Sequence, residues 1–389
     1  MQWTGLFWAA MLVANMALVF NFPYRTVAEV SLRSLLKNLH TLRTLSRKEV
    51  IPVIKANAYG HGLVPVARAL VTRGSCQMLA VATLEEGMQV REELPRGVAV
   101  LVLSGFFPHQ LDAYMKYRLT PMIHSMSHLR SLVGRKNLPD IHLKIDTGMH
   151  RLGIPLEDLD EAARVLERLP IKLSGVASHF AESENLDSDF SEQQSAQFEQ
   201  AVGFLREKKL LHTDARVHIA NSGGILRGAG SYATSIRPGI SLFGISPNDR
   251  LPNSKNLLPV MEWKTRILCL KEVARGQTVG YGRTYTATRR EKIAILPIGY
   301  ADGYPRSVSN KSFVLIGGKR CAVRGIVSMD LLAVDVTSHA TVKEGQLATL
   351  IGGQGRVSLS ANALARFAGT ISYEVLCGIS DRVPRIYFD

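Results

Sequence analysis

Polar side chains that could do chemistry stand directly after several short apolar runs of this sequence. The set is rich in cationic and imidazole groups, and its members are Lys55, Ser104, Asp146, Ser178, His179, Asn221, Ser222 and Arg237. Cationic groups at neighbouring strand ends suit an anionic ligand. Lys55 follows an apolar stretch, and burial of such a lysine would lower its pKa and make the amine able to bond covalently to a carbonyl group. From the residues alone, an exposed surface lysine is the alternative.

Two kinds of segment alternate between Thr26 and Ile236. Short apolar, β-branched runs predict strands at residues 50–54, 78–81, 99–103, 120–123, 142–145, 173–177 and 217–220, with a short eighth strand ending at Ile236. Between these runs we predict helices at 63–72, 84–93, 156–168 and 192–208, and in the last two the apolar residues recur every three or four positions. Strands alternating with helices predict an α/β fold, a TIM-type (β/α)8 barrel that binds its ligand at the carboxyl ends of the strands.

The pattern changes after about Leu257. Short runs separated by Gly and Pro predict strands at 267–273, 293–298, 313–316, 321–323, 332–336 and 348–351, and residues 359–367 predict one helix. We therefore expect a ligand-binding barrel over residues 23–256 and a mostly-β C-terminal domain over residues 257–389.

The composition is typical of a folded protein with a basic surface. Hydrophobic residues make up 46% and charged residues 21% of the 389 residues, which excludes wholesale disorder. The net charge of +14 fits nucleic acid, an anionic membrane or acidic small molecules. Because acidic and basic residues are interleaved, without a basic stripe that carries stacking aromatics, we expect a small-molecule substrate and no nucleic acid. Four widely spaced cysteines indicate a reducing compartment and no metal site.

Residues 1–22 form an apolar leader of uncertain status. Apolar residues run almost unbroken from Leu6 to Phe20, and the first positive charge is Arg25. The run is too short for a comfortable membrane span. An export signal, a membrane-adsorbed leader and a wrongly chosen upstream start codon are all open. We expect a cytoplasmic protein with no stable membrane span, and export or membrane association through residues 1–22 is the alternative.

Nine motifs occur in an order that resembles one enzyme family. They are VIKANAYGHG at residues 53–62, KIDTGMHRLG at 144–153, SHFA at 178–181, HIANSGG at 218–224, RPGISLFG at 237–244, VGYGRTYTA at 279–287, IGYADGYPR at 298–306, VSMD at 327–330 and YEVLCGISDRVPR at 373–385. On these motifs the chain resembles the bacterial alanine racemases. The resemblance implies a barrel that binds pyridoxal 5′-phosphate, followed by a β domain. It also implies a homodimer in which each active site is completed by the partner's β domain.

The resemblance implies an isomerase that interconverts L-alanine and D-alanine and so supplies D-alanine for peptidoglycan. Removing the α-proton and returning it to the opposite face requires two bases. Lys55 matches the cofactor lysine of the family and would be one base, and Tyr281 of the partner chain would be the other. Arg151 and His179 match the groups that would stabilise the tyrosine anion.

Further positions match binding residues of the family. Arg237 would face the pyridine nitrogen, and Lys144 matches a lysine that is carboxylated to N6-carboxylysine in many members and orients Arg151. The implied cofactor-binding residues are Lys55, Tyr59, His179, Asn221, Ser222, Arg237, Gly239, Ile240 and Tyr373. The implied substrate-binding residues are Arg151, Tyr300, Met329 and Asp330.

Other functions of the same fold stay open. A broad-specificity or serine racemase would differ in the width of the active-site entrance, which the sequence does not give. A decarboxylase of this fold would carry a different, glycine-rich phosphate loop. A non-catalytic pyridoxal-phosphate carrier would consist of the barrel alone, whereas this sequence predicts a β domain that contains Tyr281.

Overall fold

The computed structural model describes residues 23–389, in which the chain divides into two compact units. The barrel unit comprises Glu29–Glu262, Leu359–Ser380 and Arg385–Asp389. The β unit comprises Trp263–Ser358, Asp381–Pro384 and the described residues before Glu29. The expected leader at residues 1–22 lies outside the described residues.

Eight parallel strands form the centre of the barrel unit. They follow strand β1 (Thr26–Ser31) and are β2 (Glu49–Val50), β3 (Met78–Val81), β4 (Ala99–Val102), β5 (Thr120–Ile123), β6 (His142–Lys144), β7 (Leu173–Ala177), β8 (Leu211–His218) and β9 (Ser235–Ile236). Neighbouring strands pair in the order β2-β9-β8-β7-β6-β5-β4-β3. The sheet closes because Val53, just after β2, forms a parallel bridge with Ala80 of β3. This nearly closed barrel confirms the predicted fold class.

The barrel strands are apolar because both of their faces are covered. Every side chain of β3 is buried, as is every side chain of β5. Parallel strands that are covered on both faces carry continuous apolar runs rather than alternating ones. This is why short apolar runs in the sequence predict these strands.

Most helices cover the outside of the barrel, whereas the short segment Lys55–Tyr59 contributes to the cavity at the carboxyl ends of the strands. In chain order they are α1 (Leu32–Ser46), α2 (Lys55–Tyr59), α3 (Leu63–Thr72), α4 (Leu84–Glu93), α5 (Leu111–Lys116), α6 (Met126–Arg130), α7 (Leu159–Leu166), α8 (Phe190–Glu207), α9 (Ser222–Arg227), α10 (Ala361–Ala368) and α11 (Ser372–Cys377). Helix α7 shows how they pack, since its buried side chains recur every three or four residues. Several helices begin at a side chain that accepts a hydrogen bond from the backbone N–H group three residues on. These capping residues are Ser31, Thr83, Ser125, Asn221 and Ser360.

Antiparallel strands build the β unit. The strands that follow the eight barrel strands in the sequence are β10 (Met261–Arg266), β11 (Cys269–Val273), β12 (Thr278–Val279), β13 (Tyr285–Thr286), β14 (Glu291–Leu296), β15 (Phe313–Ile316), β16 (Lys319–Ala322), β17 (Leu332–Asp335), β18 (Leu347–Gln354), β19 (Val357–Leu359) and β20 (Arg385–Phe388). The last of them, β20, belongs to the barrel unit. Strands β11, β14 and β17 form one antiparallel sheet, and β12 and β13 form a hairpin. Trp263 and Tyr304 are fully buried in this unit, with ring centroids 5.9 Å apart. The separate mostly-β domain agrees with the predicted architecture.

Short 3₁₀ helices connect these elements. They span Pro108–Gln110, Leu156–Asp158, Ile240–Phe243, Ser254–Asn256, Tyr281–Arg283, Tyr300–Asp302 and Arg306–Val308. Among residues 23–389, no helix has both the length and the apolar character needed to cross a membrane.

Some elements differ from the sequence-based expectations. Strand β8 begins at Leu211, well before the predicted 217–220, because its first residues are polar and exposed and form no apolar run. Strand β10 was not predicted, since its buried and half-buried side chains alternate and include charged residues. The helix predicted over 156–168 is a 3₁₀ turn that follows Pro155 and continues as α7.

Candidate active site

The carboxyl ends of the barrel strands surround one cavity of about 960 Å³. Its size and its mixture of apolar and polar walls are typical of a small-molecule site. The structure brings together here every barrel residue that the sequence singled out as binding or catalytic, namely Lys55, Tyr59, Lys144, Arg151, His179, Asn221, Ser222, Arg237, Gly239, Ile240 and Tyr373.

Lys55 begins helix α2 just after strand β2 and is half-buried in this cavity. Burial lowers the pKa of its amine, and the positive charges of Arg151 and Arg237 lower this pKa further. Glu86 and Cys377 act in the opposite direction. A lowered pKa increases the neutral, nucleophilic fraction of the amine near pH 7.

The four residues that follow Lys55 have a left-handed backbone. Residues 56–59 have φ between 52° and 53°, although none of them is glycine. This conformation costs roughly 1–2 kcal/mol per residue and therefore needs support from its surroundings. Asn57 Oδ1 accepts a hydrogen bond from the N–H of Leu63 at 2.7 Å, and Nδ1 of His61 lies 2.9 Å from the carbonyl oxygen of Tyr59.

Arg237 follows strand β9 and is 4% exposed. Its Nη1 donates to the carbonyl oxygen of His218 at 2.8 Å, and its Nη2 donates to the carbonyl oxygens of Ser178 at 2.6 Å and Ile219 at 3.3 Å. These contacts fix the guanidinium and do not use Nε. Burial lowers the pKa of Arg237 to about 10, so the side chain is still a cation near pH 7.

Three imidazoles have their tautomers set by Arg237. Because a guanidinium only donates, Nδ1 of His218 and Nδ1 of His179 must accept from it. His218 then carries its proton on Nε2, which lies 2.8 Å from Nδ1 of His142. Burial, followed by the nearby charge of Arg237, holds the pKa of His179 and of His218 well below the usual value. Burial also lowers the pKa of His142 to about 3. All three imidazole rings are therefore neutral.

Lys144 ends strand β6 and is 9% exposed. Burial and the positive charges of Arg237 and Arg151, opposed by Asp146, together lower the pKa of its amine to about 7. The lowered pKa increases the neutral fraction of this amine near pH 7. A neutral amine inside the cavity can act as a nucleophile.

Asp146 shapes the loop that carries Arg151 to the cavity. One oxygen of its carboxylate accepts hydrogen bonds from the N–H groups of Gly148 at 3.0 Å, Met149 at 3.0 Å and His150 at 3.1 Å. A carboxylate that binds three successive N–H groups holds the chain in a tight turn. The turn places Arg151 in the wall of the cavity.

A second part of the cavity wall presents hydroxyl groups and close backbone. The hydroxyl oxygen of Ser222 accepts hydrogen bonds from the N–H groups of Gly239 at 3.0 Å and Ser241 at 3.1 Å. A Cβ atom at position 239 would lie 2.3 Å from the hydroxyl oxygen of Tyr59, so any larger residue there would displace this hydroxyl. Tyr59 and Tyr373 lie side by side, with ring centroids 6.0 Å apart, and burial raises the pKa of both phenols.

Tyr281 belongs to the β unit, at the tip of the hairpin formed by β12 and β13. Its side chain is 72% exposed. Gly280 has φ of 74° and Gly282 has φ of 64°, which gives the tip its sharp reversal. Tyr285 anchors the base of the hairpin, because its hydroxyl donates to the buried carboxylate of Glu291 at 2.9 Å.

The predicted substrate residues of the β unit lie on two loops that are bonded together. The N–H of Tyr300 donates to the carbonyl oxygen of Ser328 at 3.0 Å. Asp330 accepts from Nη2 of Arg382 at 2.6 Å. Met329 is 52% exposed and Tyr300 is 44% exposed.

Several buried polar residues that hold the site in place were not predicted from the sequence. Fully buried Gln194 accepts from the N–H of Ala181 at 2.9 Å and donates to the carbonyl oxygen of His179 at 3.0 Å. His218 contacts Arg237 directly, and His142 contacts His218. Only His218 lies in one of the quoted motifs, so the sequence offered a signal for that residue and none for Gln194.

Two sequence models of one family match this chain. The model of the alanine racemase N-terminal domain matches residues 30–247, and that of the alanine racemase C-terminal domain matches residues 260–387. The chain belongs to the alanine racemase family. A curated alanine racemase from Halothermothrix orenii is 40% identical over 370 residues, which cover 93% of this chain and 96% of that protein.

Solved structures of alanine racemases are similar over nearly the whole length. The Bacillus anthracis alanine racemase with bound L-Ala-P has a TM-score of 0.86 and 31% identity, covering 95% of this chain and 96% of that one. The Bartonella henselae alanine racemase with covalently bound pyridoxal phosphate has a TM-score of 0.84 and 29% identity, covering 94% of this chain and 100% of that one. These matches confirm the resemblance stated from the motifs.

Proposed function

We propose that this protein is an isomerase that interconverts L-alanine and D-alanine with pyridoxal 5′-phosphate as its cofactor. The observation that carries the proposal is the barrel cavity that combines Lys55, whose pKa is lowered, with the buried cation Arg237. Membership of the alanine racemase family, over both units, supports the same reaction. The Bartonella henselae racemase with its covalently bound cofactor supports a lysine-bound pyridoxal phosphate here.

The cavity has the donors and the space that this cofactor requires. At Gly239 a Cβ atom would lie 2.3 Å from the hydroxyl oxygen of Tyr59, so the main chain lies close to this hydroxyl, where a phosphate could be bound. When bound, pyridoxal phosphate supplies the electron sink that makes the α-proton of the substrate removable. Its phosphate would be held by Tyr59, Ser222, Gly239, Ile240 and Tyr373, and its ring by His179, Asn221 and Arg237.

Lys55 and Tyr281 carry the proton transfers in this proposal. Lys55 binds the cofactor, and its amine then removes or returns a proton on one face of the substrate. The hydroxyl of Tyr281 from a second copy of the chain does so on the opposite face. A free phenol has a pKa of about 10, so Tyr281 needs a nearby positive charge to act as a base near pH 7, and Arg151 supplies it.

Arg237 sets the protonation of the pyridine nitrogen. A guanidinium donates hydrogen bonds and cannot accept them, so a ring nitrogen that faces Arg237 stays unprotonated. When the cofactor is bound, Arg237 would thereby restrict how much negative charge can spread into the ring and would disfavour side reactions such as transamination. The contacts of Nη1 and Nη2 with backbone carbonyls hold Arg237 ready for this task.

Lys144 is the proposed site of carboxylation. Its neutral amine would attack the carbon of CO₂, forming an N–C bond while the proton leaves to solvent. The product is an anion that accepts hydrogen bonds from Arg151, in place of a cation that repels it. A ¹³C NMR carbamate resonance after incubation with ¹³C-bicarbonate, absent from Lys144→Met, is expected; its absence from the wild type contradicts carboxylation.

The protein acts as a homodimer with shared active sites in this proposal. Tyr281, Tyr300 and Met329 of the β unit present large exposed side chains, which suits contact with a second copy. Met329 and Asp330 would bind the carboxylate end of the substrate, and Tyr300 would narrow the entrance to favour a one-carbon side chain.

The proposed cellular role is to supply D-alanine for peptidoglycan. All four cysteines are free, which suits a reducing compartment, and we propose the cytoplasm as the location.

The decisive test measures D-alanine formed from L-alanine by the purified, cofactor-loaded protein. We expect racemisation, and Tyr281→Phe is expected to lower kcat by at least about 100-fold, because it removes one of the two proton-transferring groups. A panel of L-amino acids that includes serine separates an alanine racemase from a broad-specificity one. Cofactor binding without any racemisation would favour a non-catalytic carrier.

A further inference from the structure

Glu86, on helix α4, holds two backbone N–H groups at once. One carboxylate oxygen accepts from the N–H of Ala56 at 2.7 Å, and the other accepts from the N–H of Ala82 at 2.8 Å. Ala56 directly follows Lys55, and Ala82 directly follows strand β3. One side chain therefore joins the segments that leave two neighbouring strands of the barrel at the mouth of the cavity.

The segment that Glu86 holds is the left-handed turn at residues 56–59. The turn has φ near 53° at residues that favour negative values, so it depends on contacts from outside itself. Glu86 binds its first N–H group, and the ring of His61 contacts its last carbonyl group at 2.9 Å. Without the contact to Ala56, the backbone just after Lys55 would lose the side-chain contact that holds the first residue of the turn.

We infer that Glu86 is a positioning residue for Lys55, because it fixes the backbone from which the cofactor lysine projects. The inference rests on the proposed cofactor role of Lys55 and deepens it. Glu86 touches neither substrate nor cofactor in this account and acts only through the main chain of Ala56 and through its charge.

The charge of Glu86 has a second, separable effect. Lys55 is faced by the cations Arg151 and Arg237, by neutral His179 and by the thiol of Cys377. The carboxylate of Glu86 raises the pKa of Lys55 against these cations and against burial. Removing the negative charge should therefore shift the titration of the Lys55 amine to lower pH.

The experiment measures how fast apoprotein captures pyridoxal phosphate at Lys55, without any amino acid present. Samples taken over time are reduced with borohydride, and the labelled peptide is quantified by mass spectrometry between about pH 6 and pH 10. The pH midpoint of the capture rate reports the charge around Lys55, and the plateau at high pH reports its position. Circular dichroism melting checks that each variant is folded.

Three variants separate the two effects. Glu86→Gln is almost isosteric, loses the charge and presents an amide donor to one of the two N–H groups. Glu86→Asp keeps the charge but is one methylene too short to reach both. Glu85→Gln is the matched control, since Glu85 is the exposed neighbour on the same helix.

Both Glu86 variants should lower the plateau rate at least about tenfold, because small misplacements of reacting groups have large effects on rate. Only Glu86→Gln should also move the midpoint to lower pH. Glu85→Gln should match the wild type in both.

Plateau rates equal to the wild type in both Glu86 variants would overturn the inference, as would an equal loss in Glu85→Gln. A wild type that captures the cofactor at Lys55 yet does not racemise alanine would refute the proposed function alone. Absence of any Lys55 adduct in the wild type would refute both.

Discussion

At the scale of single residues, burial decides which groups in the cavity carry charge. Lys144 has a pKa of about 7 in the folded protein, lowered from 10.5 chiefly by burial. Between these two values the unfolded chain binds a proton that the folded chain has released. The free energy of unfolding should therefore rise with pH over this interval, by up to about 1.4 kcal/mol per pH unit.

Replacing Lys144 tests this reasoning. Between about pH 7 and pH 10, the free energy of unfolding should increase less steeply with pH in Lys144→Met than in the wild type. As the pH falls toward 7, the wild type should lose more stability than the variant. Urea unfolding in CO₂-free buffer at several pH values measures the slope. Lys172→Met controls for the loss of an exposed lysine. Parallel slopes in wild type and Lys144→Met would show that the amine is not buried as described.

Gly239 tests the close approach of backbone and Tyr59. In Gly239→Ala the added Cβ would lie 2.3 Å from the Tyr59 hydroxyl and displace it, so the affinity for pyridoxal phosphate should fall about tenfold, as for one lost hydrogen bond. Fluorescence titration of apoprotein measures the Kd. Gly97→Ala is the control, since a Cβ there meets nothing within 4 Å. An unchanged Kd would mean that the phosphate is bound elsewhere.

At the scale of elements, the left-handed turn after Lys55 stores backbone strain. Ala56→Gly should raise the free energy of unfolding by up to about 1 kcal/mol, because glycine adopts positive φ without the steric cost that alanine has. Ala113→Gly, in the right-handed helix α5, should lower it by about 1 kcal/mol. Urea unfolding measures both changes. A loss of stability in Ala56→Gly similar to that in Ala113→Gly would contradict the strained turn.

The same elements show how far the sequence predicts the structure. Strands such as β3 are recognisable because burial on both faces demands an unbroken apolar run. The left-handed turn was not predictable, since alanine favours the opposite hand and only tertiary contacts impose it. The contact of Glu86 with Ala56 was also hidden, because it depends on β2 and β3 lying side by side where the barrel closes. The residues of the cavity were predicted through motifs, whereas the buried supports Gln194 and His142 were not.

At the scale of the whole molecule, the proposed homodimer with shared active sites makes a prediction about mixed dimers. Lys55→Ala and Tyr281→Phe each inactivate both sites of a homodimer. A mixed dimer keeps one site that combines an intact Lys55 with an intact Tyr281 from the other chain. Equal mixing after reversible dissociation should thus restore about a quarter of wild-type activity, because half of the dimers are mixed and each has one working site. Continued inactivity of the mixture, with dimers verified by ultracentrifugation, would place both residues of a site on one chain.

The closing bridge of the barrel has a consequence for the molecule as a whole. The segment that leads to Lys55 is fastened to β3 by hydrogen bonds from Ile54 to Ala80 and from Ala80 to Pro52, each 2.8 Å long. A coenzyme attached to Lys55, as proposed, would therefore lie beside the strands that close the barrel. If the coenzyme binds only when this part of the barrel is closed, binding stabilises the closed barrel. Loss of the coenzyme should therefore lower the free energy needed to open the barrel between the segment before Lys55 and β3.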